Sequence, residues 1–417
     1  MNVEILSTGE ELVTGALTDT NATWLAARLL EAGIRIDRQT CVGDDESRLA
    51  RIMTEMAGRA DLVLVTGGLG PTSDDLSAQA AARASGDSLV LNGEALVSMT
   101  SFFQKRGWAM PQANIKQAML PSRATMIENC AGTAPGFLLE IGQCLFFFMP
   151  GVPMEMKSMF QSQVLPRIRE QFQGLTKVLT SRMTVFGLPE SEVGARLAEF
   201  PGRFPGISLG FRASFPLIEV KCLLVSDPET GQDAAGQAMD GARAFIQEKL
   251  GAKLFSDKGL TMEEEVGRLL TLCRQRVAVA ESCTGGLIAS MLTDVAGSSD
   301  YFLLSAVTYS NDAKIKLLGV CPETIAQNGA VHEKTALEMA MGVRKISGAD
   351  WGISTSGIAG PGGGSPEKPV GTVCIGIDGP GVSMGKLYRF SFEDRAMNKK
   401  LFAVMAMDVL RKNLVQG

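Results

Sequence analysis

The strongest constraint on this chain is an alternation that occurs twice along it. From the N-terminus, the apolar run NVEILS gives way to the amphipathic ATWLAARLLEAG, then to IRIDRQTCV, the helical ESRLARIMTEMAG and the apolar DLVLVTGG. Strand, helix, strand, helix, strand is the pattern of βαβ units, so a parallel sheet with helices on its faces is expected. It runs on through DLSAQAAARASG to CLFFFMPGVP, which predicts a first three-layer α/β domain over about 1–170. From about 258 the texture returns: helix TMEEEVGRLLTLCRQR, strand VAVAE, strand YFLLSAVTY, helix EKTALEMAMGVRKIS, strands WGISTS, KPVGTVCIGID and GKLYRFSF, and a closing helix. A second three-layer α/β domain is predicted over 258–417.

Between about 175 and 252, the alternating strands LTSRMTVFG and PLIEVKCLLVSD, with helical PESEVGARLAEF and GQDAAGQAMDGARAFIQEKLG, read as a small α+β domain. Its layout is KH-like, but no two of its glycines have the GxxG spacing that clamps an RNA backbone. A linker or dimerisation role is expected instead, and a homodimer with it.

Composition narrows the chemistry. At 417 residues and a formal net charge of −5, the chain exceeds one core and lacks the basic footprint of a general nucleic-acid or anionic-membrane binder. The start MNVEILSTGEEL has no basic leader, and no uncharged run approaches the ~18 residues of a membrane span, so a cytosolic protein is expected. The eight cysteines include no CxxC pair, which argues against zinc ribbons. A single histidine, His332, excludes multi-histidine metal sites and permits at most one serine–histidine triad. Catalytic bases are therefore sought among lysine, tyrosine and carboxylates, and metals among oxygen-ligand cations.

Two stretches carry candidate chemistry. In TGGLGPTSDD (66–75), Gly67, Gly68 and Gly70 let backbone N–H groups approach a ligand at a helix start. Asp74 and Asp75 read either as helix caps or as ligands of a cation bridging to a polyphosphate. In VAVAESCTGG, Ser282 stands at a strand end before a glycine turn whose N–H groups could hold an oxyanion or phosphate. Tyr309 and Lys314 are the nearest downstream groups able to activate it without histidine. Ser356, ending the strand before GIAGPGGGSP, is a candidate oxyanion donor, and that glycine-rich loop is expected to approach something closely. Cys283 is the rival nucleophile. His332, just before a helix, reads as a capping-region residue.

STGEELVTGALTDTNATWLA, VGDDE, VTGGLGPTSDDLS, NCAGTAPGF and MPGVPMEMKSMF, with the later ESCTGG and STSGIAGPGGG stretches, resemble the signatures of the full-length CinA (competence/damage-inducible) family. The resemblance implies an N-terminal domain with the fold of molybdopterin-binding domains and metal-dependent ADP-ribose pyrophosphatase activity. Asp74, Asp75 and Glu155 would be metal-site candidates, for Mg²⁺ or a similar divalent cation with K⁺ as a second candidate. Gly67, Gly68, Gly70, Thr72 and Asn21 would contact substrate. The C-terminal domain is similar to nicotinamide mononucleotide deamidases, which need no cofactor. There the resemblance implies Ser282 as nucleophile, Tyr309 and Lys314 as its partners, Thr284, Gly285, Gly286 and Gly357 in substrate loops, and Arg395 on the phosphate. Ser356 stands where the family usually has threonine, which keeps the hydroxyl. Two alternatives stand beside this: an N-terminal domain that binds molybdopterin or another nucleotide without turnover, and a noncatalytic partner of recombination during competence.

Overall fold

The computed structural model describes residues 1–172, 177–226 and 232–416. The chain forms two compact units, residues 1–179 with 224–235, and residues 180–223 with 236–417. The expected boundary at 175 falls outside the described residues, and a separate 175–252 domain remains a proposal.

In the first unit a six-stranded sheet runs in the order Arg38–Val42, Val3–Thr8, Leu62–Thr66, Cys144–Met149, Gly136–Ile141, Thr125–Ile127. The first four strands are parallel, as the alternation predicts. The last two are antiparallel, so the sheet is mixed: GFLLEI and CLFFFM close a hairpin over Gly142, whose φ of 63° suits the tight turn. Strand period explains the layers. Val3, Ile5, Leu62, Leu64 and Phe147 point to a core shared with helices Thr20–Glu31 and Pro153–Met159. Leu6, Val63, Val65, Phe146 and Phe148 point the other way, onto helices Glu46–Ala57, Ser77–Ser85 and Gly93–Lys105. Helix starts follow local capping: Asp19 accepts from the Ala22 N–H at 2.9 Å and Asp45 from Arg48 at 2.7 Å.

The second unit holds a four-stranded sheet, Ile207–Ser214, Leu217–Ser226, Lys177–Phe186, Leu254–Ser256, and a five-stranded one. The latter runs Phe302–Val307, Val277–Glu281, Trp351–Gly357, Thr372–Gly379, Val382–Arg389. Val277–Glu281 is parallel to both of its neighbours, and Thr372–Gly379 and Val382–Arg389 continue the sheet antiparallel. One face packs on helices Met262–Cys273, Leu287–Asp294 and Arg395–Gln416; the other, with Ala278 and Ala280, packs on helix Glu333–Ser347.

That second face has a feature the periodicity does not announce. Gly352, Gly376 and Gly385 stand on three successive strands, and a Cβ on each would collide with a backbone carbonyl of helix Glu333–Ser347: Ala340, Ala336 and Glu333 respectively. The helix therefore lies directly on bare strand backbone. Gly376→Ala is expected to cost about 2–3 kcal/mol through overpacking, read as a lower urea midpoint. An unchanged midpoint would contradict this packing. Among the described residues, no helix is long and apolar enough to cross a membrane.

Candidate active site

Each unit places its signature loop where a parallel sheet reverses its winding. In the first sheet, the chain leaves Val3–Thr8 for one side and returns to Leu62–Thr66 on the other. In the second, Val277–Glu281 lies between Phe302–Val307 and Trp351–Gly357. Crevices beyond the strand C-termini at such points are the usual ligand sites of open α/β sheets.

The second unit is the more decisive. The turn that follows strand Val277–Glu281 separates the two candidate nucleophiles. Cys283 packs into the core, 5% exposed, and burial pushes its thiol up to about 12. Ser282 is turned instead toward Lys314, whose Nζ lies 3.1 Å from Ser282 Oγ. Lys314 is itself buried, only 1% exposed, and donates to the Thr308 carbonyl at 2.9 Å and the Tyr309 carbonyl at 3.2 Å. Among the described residues it has no carboxylate in ion-pair reach. Burial without a counter-charge holds its amine below the usual lysine range. Lys314 Nζ is directed at three acceptors, the two carbonyls and Ser282 Oγ; on deprotonation the two carbonyls would keep the N–H groups and the lone pair would face the serine.

The other expected residues take different places. Tyr309 contributes its backbone carbonyl; its phenol is exposed and accepts from Arg395 Nη2 at 3.2 Å. Arg395 also donates to the Gly360 carbonyl at 2.7 Å, so it stands at the rim with Tyr309. Ser356 follows the register pair Glu281–Thr355 by one residue, but its hydroxyl donates to the Ala330 carbonyl at 2.7 Å. Its one hydrogen is spent there, so the expected oxyanion contact is not made in this geometry. Thr284 is fully buried and pairs with the Thr355 hydroxyl at 2.7 Å, bracing the turn rather than lining a cavity. Gly285 and Gly286, at φ 61° and 92°, need glycine for their backbone conformation. Gly357, Gly364 and Gly371 are explained by the chain itself: a Cβ on each would meet Thr372, Val370 or Phe390 backbone. The close approach expected of that loop is made to its own strands. His332 caps helix Glu333–Ser347, its Nδ1 accepting from the Lys334 N–H at 3.1 Å.

Glu281 was missed by sequence reasoning. Glu281, 0% exposed, accepts from the N–H groups of Gly286 at 3.0 Å, Ile288 at 3.1 Å and Ala289 at 3.0 Å, and from Ser305 Oγ at 3.3 Å. The helix terminus after Ser282, expected to be open to an oxyanion or phosphate, is already filled by this carboxylate. In the turn, only the Cys283 and Thr284 N–H groups remain without an acceptor among the described residues.

In the first unit, a cavity of about 410 Å³ is lined by Thr8, Gly9, Gly67, Gly68 and Gly70, and by five carboxylates: Glu11, Asp44, Asp74, Asp75 and Glu155. Among the described residues, no lysine or arginine lines it. Gly67 and Gly68, at φ 102° and 66°, bring the loop against Thr8 and Ser77. Thr72 gives both its N–H (2.9 Å) and its hydroxyl (2.5 Å) to Asp75, closing the loop on itself, so its expected phosphate contact is not free here. Asn21 lies behind the wall, donating to the Gly151 carbonyl at 2.7 Å, and does not line the cavity. Glu155 accepts from Asn129 at 2.7 Å. Glu11 and Asp44 were not foreseen; their signal was position just beyond the strands Val3–Thr8 and Arg38–Val42. Burial, then the crowding of Glu11, Asp74 and Glu10, holds the Asp44 carboxyl above its usual range.

A CinA-like protein of Desulforapulum autotrophicum is 54% identical over 423 residues, covering 100% of this chain and 99% of its own. The chain belongs to the CinA family. A second CinA-like relative, from Desulfosudis oleivorans, is 52% identical with both chains covered in full. The model of the CinA C-terminal domain matches residues 260–414, and that of a probable molybdopterin binding domain matches residues 4–170. Within the family, the solved structure of the competence/damage inducible protein CihA from Agrobacterium tumefaciens is 40% identical. It covers 38% of this chain and 98% of its own, with a TM-score of 0.36.

Proposed function

We propose that the chain is a hydrolase of pyridine nucleotides with one site in each unit. In the second unit it converts the carboxamide of nicotinamide mononucleotide to a carboxylate, releasing ammonia. The substrate comes from the resemblance of the ESCTGG and STSGIAGPGGG stretches; the chemistry is supported by one observation, the 3.1 Å approach of Ser282 Oγ to the buried Lys314 Nζ.

Neutral Lys314 takes the Ser282 hydroxyl proton as Oγ bonds to the carboxamide carbon. The unspent N–H groups of Cys283 and Thr284 are the donors available in the turn for the developing oxyanion. Collapse breaks the C–N bond, and Lys314 returns its proton to the departing ammonia. Water then attacks the ester, giving its proton to Lys314, which passes it back to Ser282 as the carboxylate leaves. The test is ammonia release from nicotinamide mononucleotide by the full chain, followed against pH. The base is the neutral amine, so kcat/KM is expected to rise about tenfold per unit below the Lys314 pKa and level above it. That pKa lies below the ordinary lysine value of about 10.4. A rate falling with pH over this range would contradict the assignment.

In the first unit the proposed reaction is cation-dependent cleavage of ADP-ribose to AMP and ribose 5-phosphate. Among the described residues five carboxylates and no cationic side chain line the cavity, with Lys116 outside it on the Thr72 carbonyl, so a bound cation would offset the repulsion a polyphosphate meets there. The donors suit a hard, oxygen-ligand ion, Asp74 and Asp75 foremost with Glu11 and Asp44 beside them. Among the described residues, no three such groups are gathered closely enough to hold it alone. Substrate oxygens would complete its coordination. When bound, it would polarise a phosphoryl oxygen. With Mg²⁺ the full chain is expected to form AMP, and Asp75→Asn to lose at least about 100-fold of that rate. Binding without AMP would leave only a nucleotide- or pterin-holding role.

A further inference from the structure

If the second unit acts on a mononucleotide, a premise this inference takes from the proposed function, the substrate's phosphate needs a seat near the Ser282 turn. The obvious seat is closed. Glu281 already fills the N-terminus of helix Leu287–Asp294, and a second anion there would meet its carboxylate. The charge must then be met by side-chain cations. Helix Arg395–Gln416 supplies two, Arg395 and Lys399, four residues apart and so on one helix face. Arg395 spends two N–H groups on neutral acceptors, the Gly360 carbonyl and the Tyr309 phenol, and pairs with no carboxylate among the described residues. Lys399 Nζ lies 3.7 Å from the position a Cβ would take on the exposed Gly285, in the turn itself. It has no hydrogen bond or ion pair among the described residues.

We infer that Lys399 is the second phosphate ligand of this site, acting with Arg395 to select mononucleotides over their dephosphorylated nucleosides. A phosphate monoester is a dianion with three acceptor oxygens, and it supplies the counter-charge that both side chains lack. Lys399 thereby sets specificity without touching the reacting carboxamide.

The experiment is calorimetric titration of the full chain in a Ser282→Ala background, so that turnover does not consume the ligand. Probes are nicotinamide mononucleotide, nicotinamide riboside and inorganic phosphate. Lys399→Met, which keeps the stem and removes the charge, is expected to weaken mononucleotide binding roughly tenfold or more and the riboside far less. Lys399→Arg should restore most of the difference. Inorganic phosphate should compete with the mononucleotide in the parent protein and less well in Lys399→Met. Equal weakening of mononucleotide and riboside, or none, overturns the assignment, as does a parent protein that binds no mononucleotide. Ammonia release by wild-type protein is measured separately. Its absence alongside Lys399-dependent binding would sink the deamidation reading and leave the phosphate seat standing.

Discussion

Lys314→Met is expected to lower kcat/KM for deamidation by on the order of 10³-fold or more, with the protein still folded. Methionine keeps an unbranched apolar stem of similar length in this buried position, so the loss isolates the amine. Two consequences separate this from a packing defect. The rise of rate with pH disappears along with the base, and Ser282→Ala added to Lys314→Met costs little further, because the two groups act as a unit. Lys314→Arg is expected to be as inactive as methionine, since a guanidinium keeps its proton. Activity retained in Lys314→Met would mean that the serine finds its base elsewhere, and the Tyr309 phenol, held by Arg395 at 3.2 Å, would be the next group to test.

Glu281→Ala is expected to be the most destabilising single change in the second unit, costing at least about 3 kcal/mol. Its carboxylate satisfies three peptide N–H groups and the Ser305 hydroxyl with no exposure to water. Alanine would leave the buried Ile288 N–H and the part-buried Gly286, Ala289 and Ser305 donors without this acceptor, and each buried orphan costs roughly 1–3 kcal/mol, less than additively. Glu281→Gln keeps one acceptor oxygen for Gly286 and Ile288 but turns an NH₂ toward the Ala289 N–H. A smaller loss of about 1–2 kcal/mol is expected, read from urea midpoints of both variants. Stability equal to wild type in Glu281→Ala would show that the helix start is satisfied in another way.

Much of the fold was legible because its signals are local. Short apolar strands such as DLVLV and VAVAE, and amphipathic helices such as ESRLARIMTEMA, declare themselves within a dozen residues. Ser282 and Lys314 were legible because strand-end position and the solitary histidine left few other bases. What was not legible depends on register across the sheet. The glycine groove of Gly352, Gly376 and Gly385 is visible only once the three strands lie side by side under one helix. The antiparallel edge at Gly136–Ile141 escaped because a parallel continuation and a hairpin share the same apolar pattern. Hydroxyl partners were equally hidden: Ser356 meets Ala330 and Thr284 meets Thr355, 26 and 71 residues away. Glu281 was passed over because a carboxylate before a nucleophile reads as strand end, while its role is to cap a helix five residues on.

In the proposed reaction Ser282, not its neighbour Cys283, attacks a carboxamide with Lys314 as its base. Ammonia release from nicotinamide mononucleotide by full-length wild type, Ser282→Ala and Cys283→Ala, assayed side by side, tests it most directly. Wild type and Cys283→Ala are expected to release ammonia, and Ser282→Ala to fall to background. Release by Ser282→Ala with silence from Cys283→Ala, or silence from the wild type, would contradict the account.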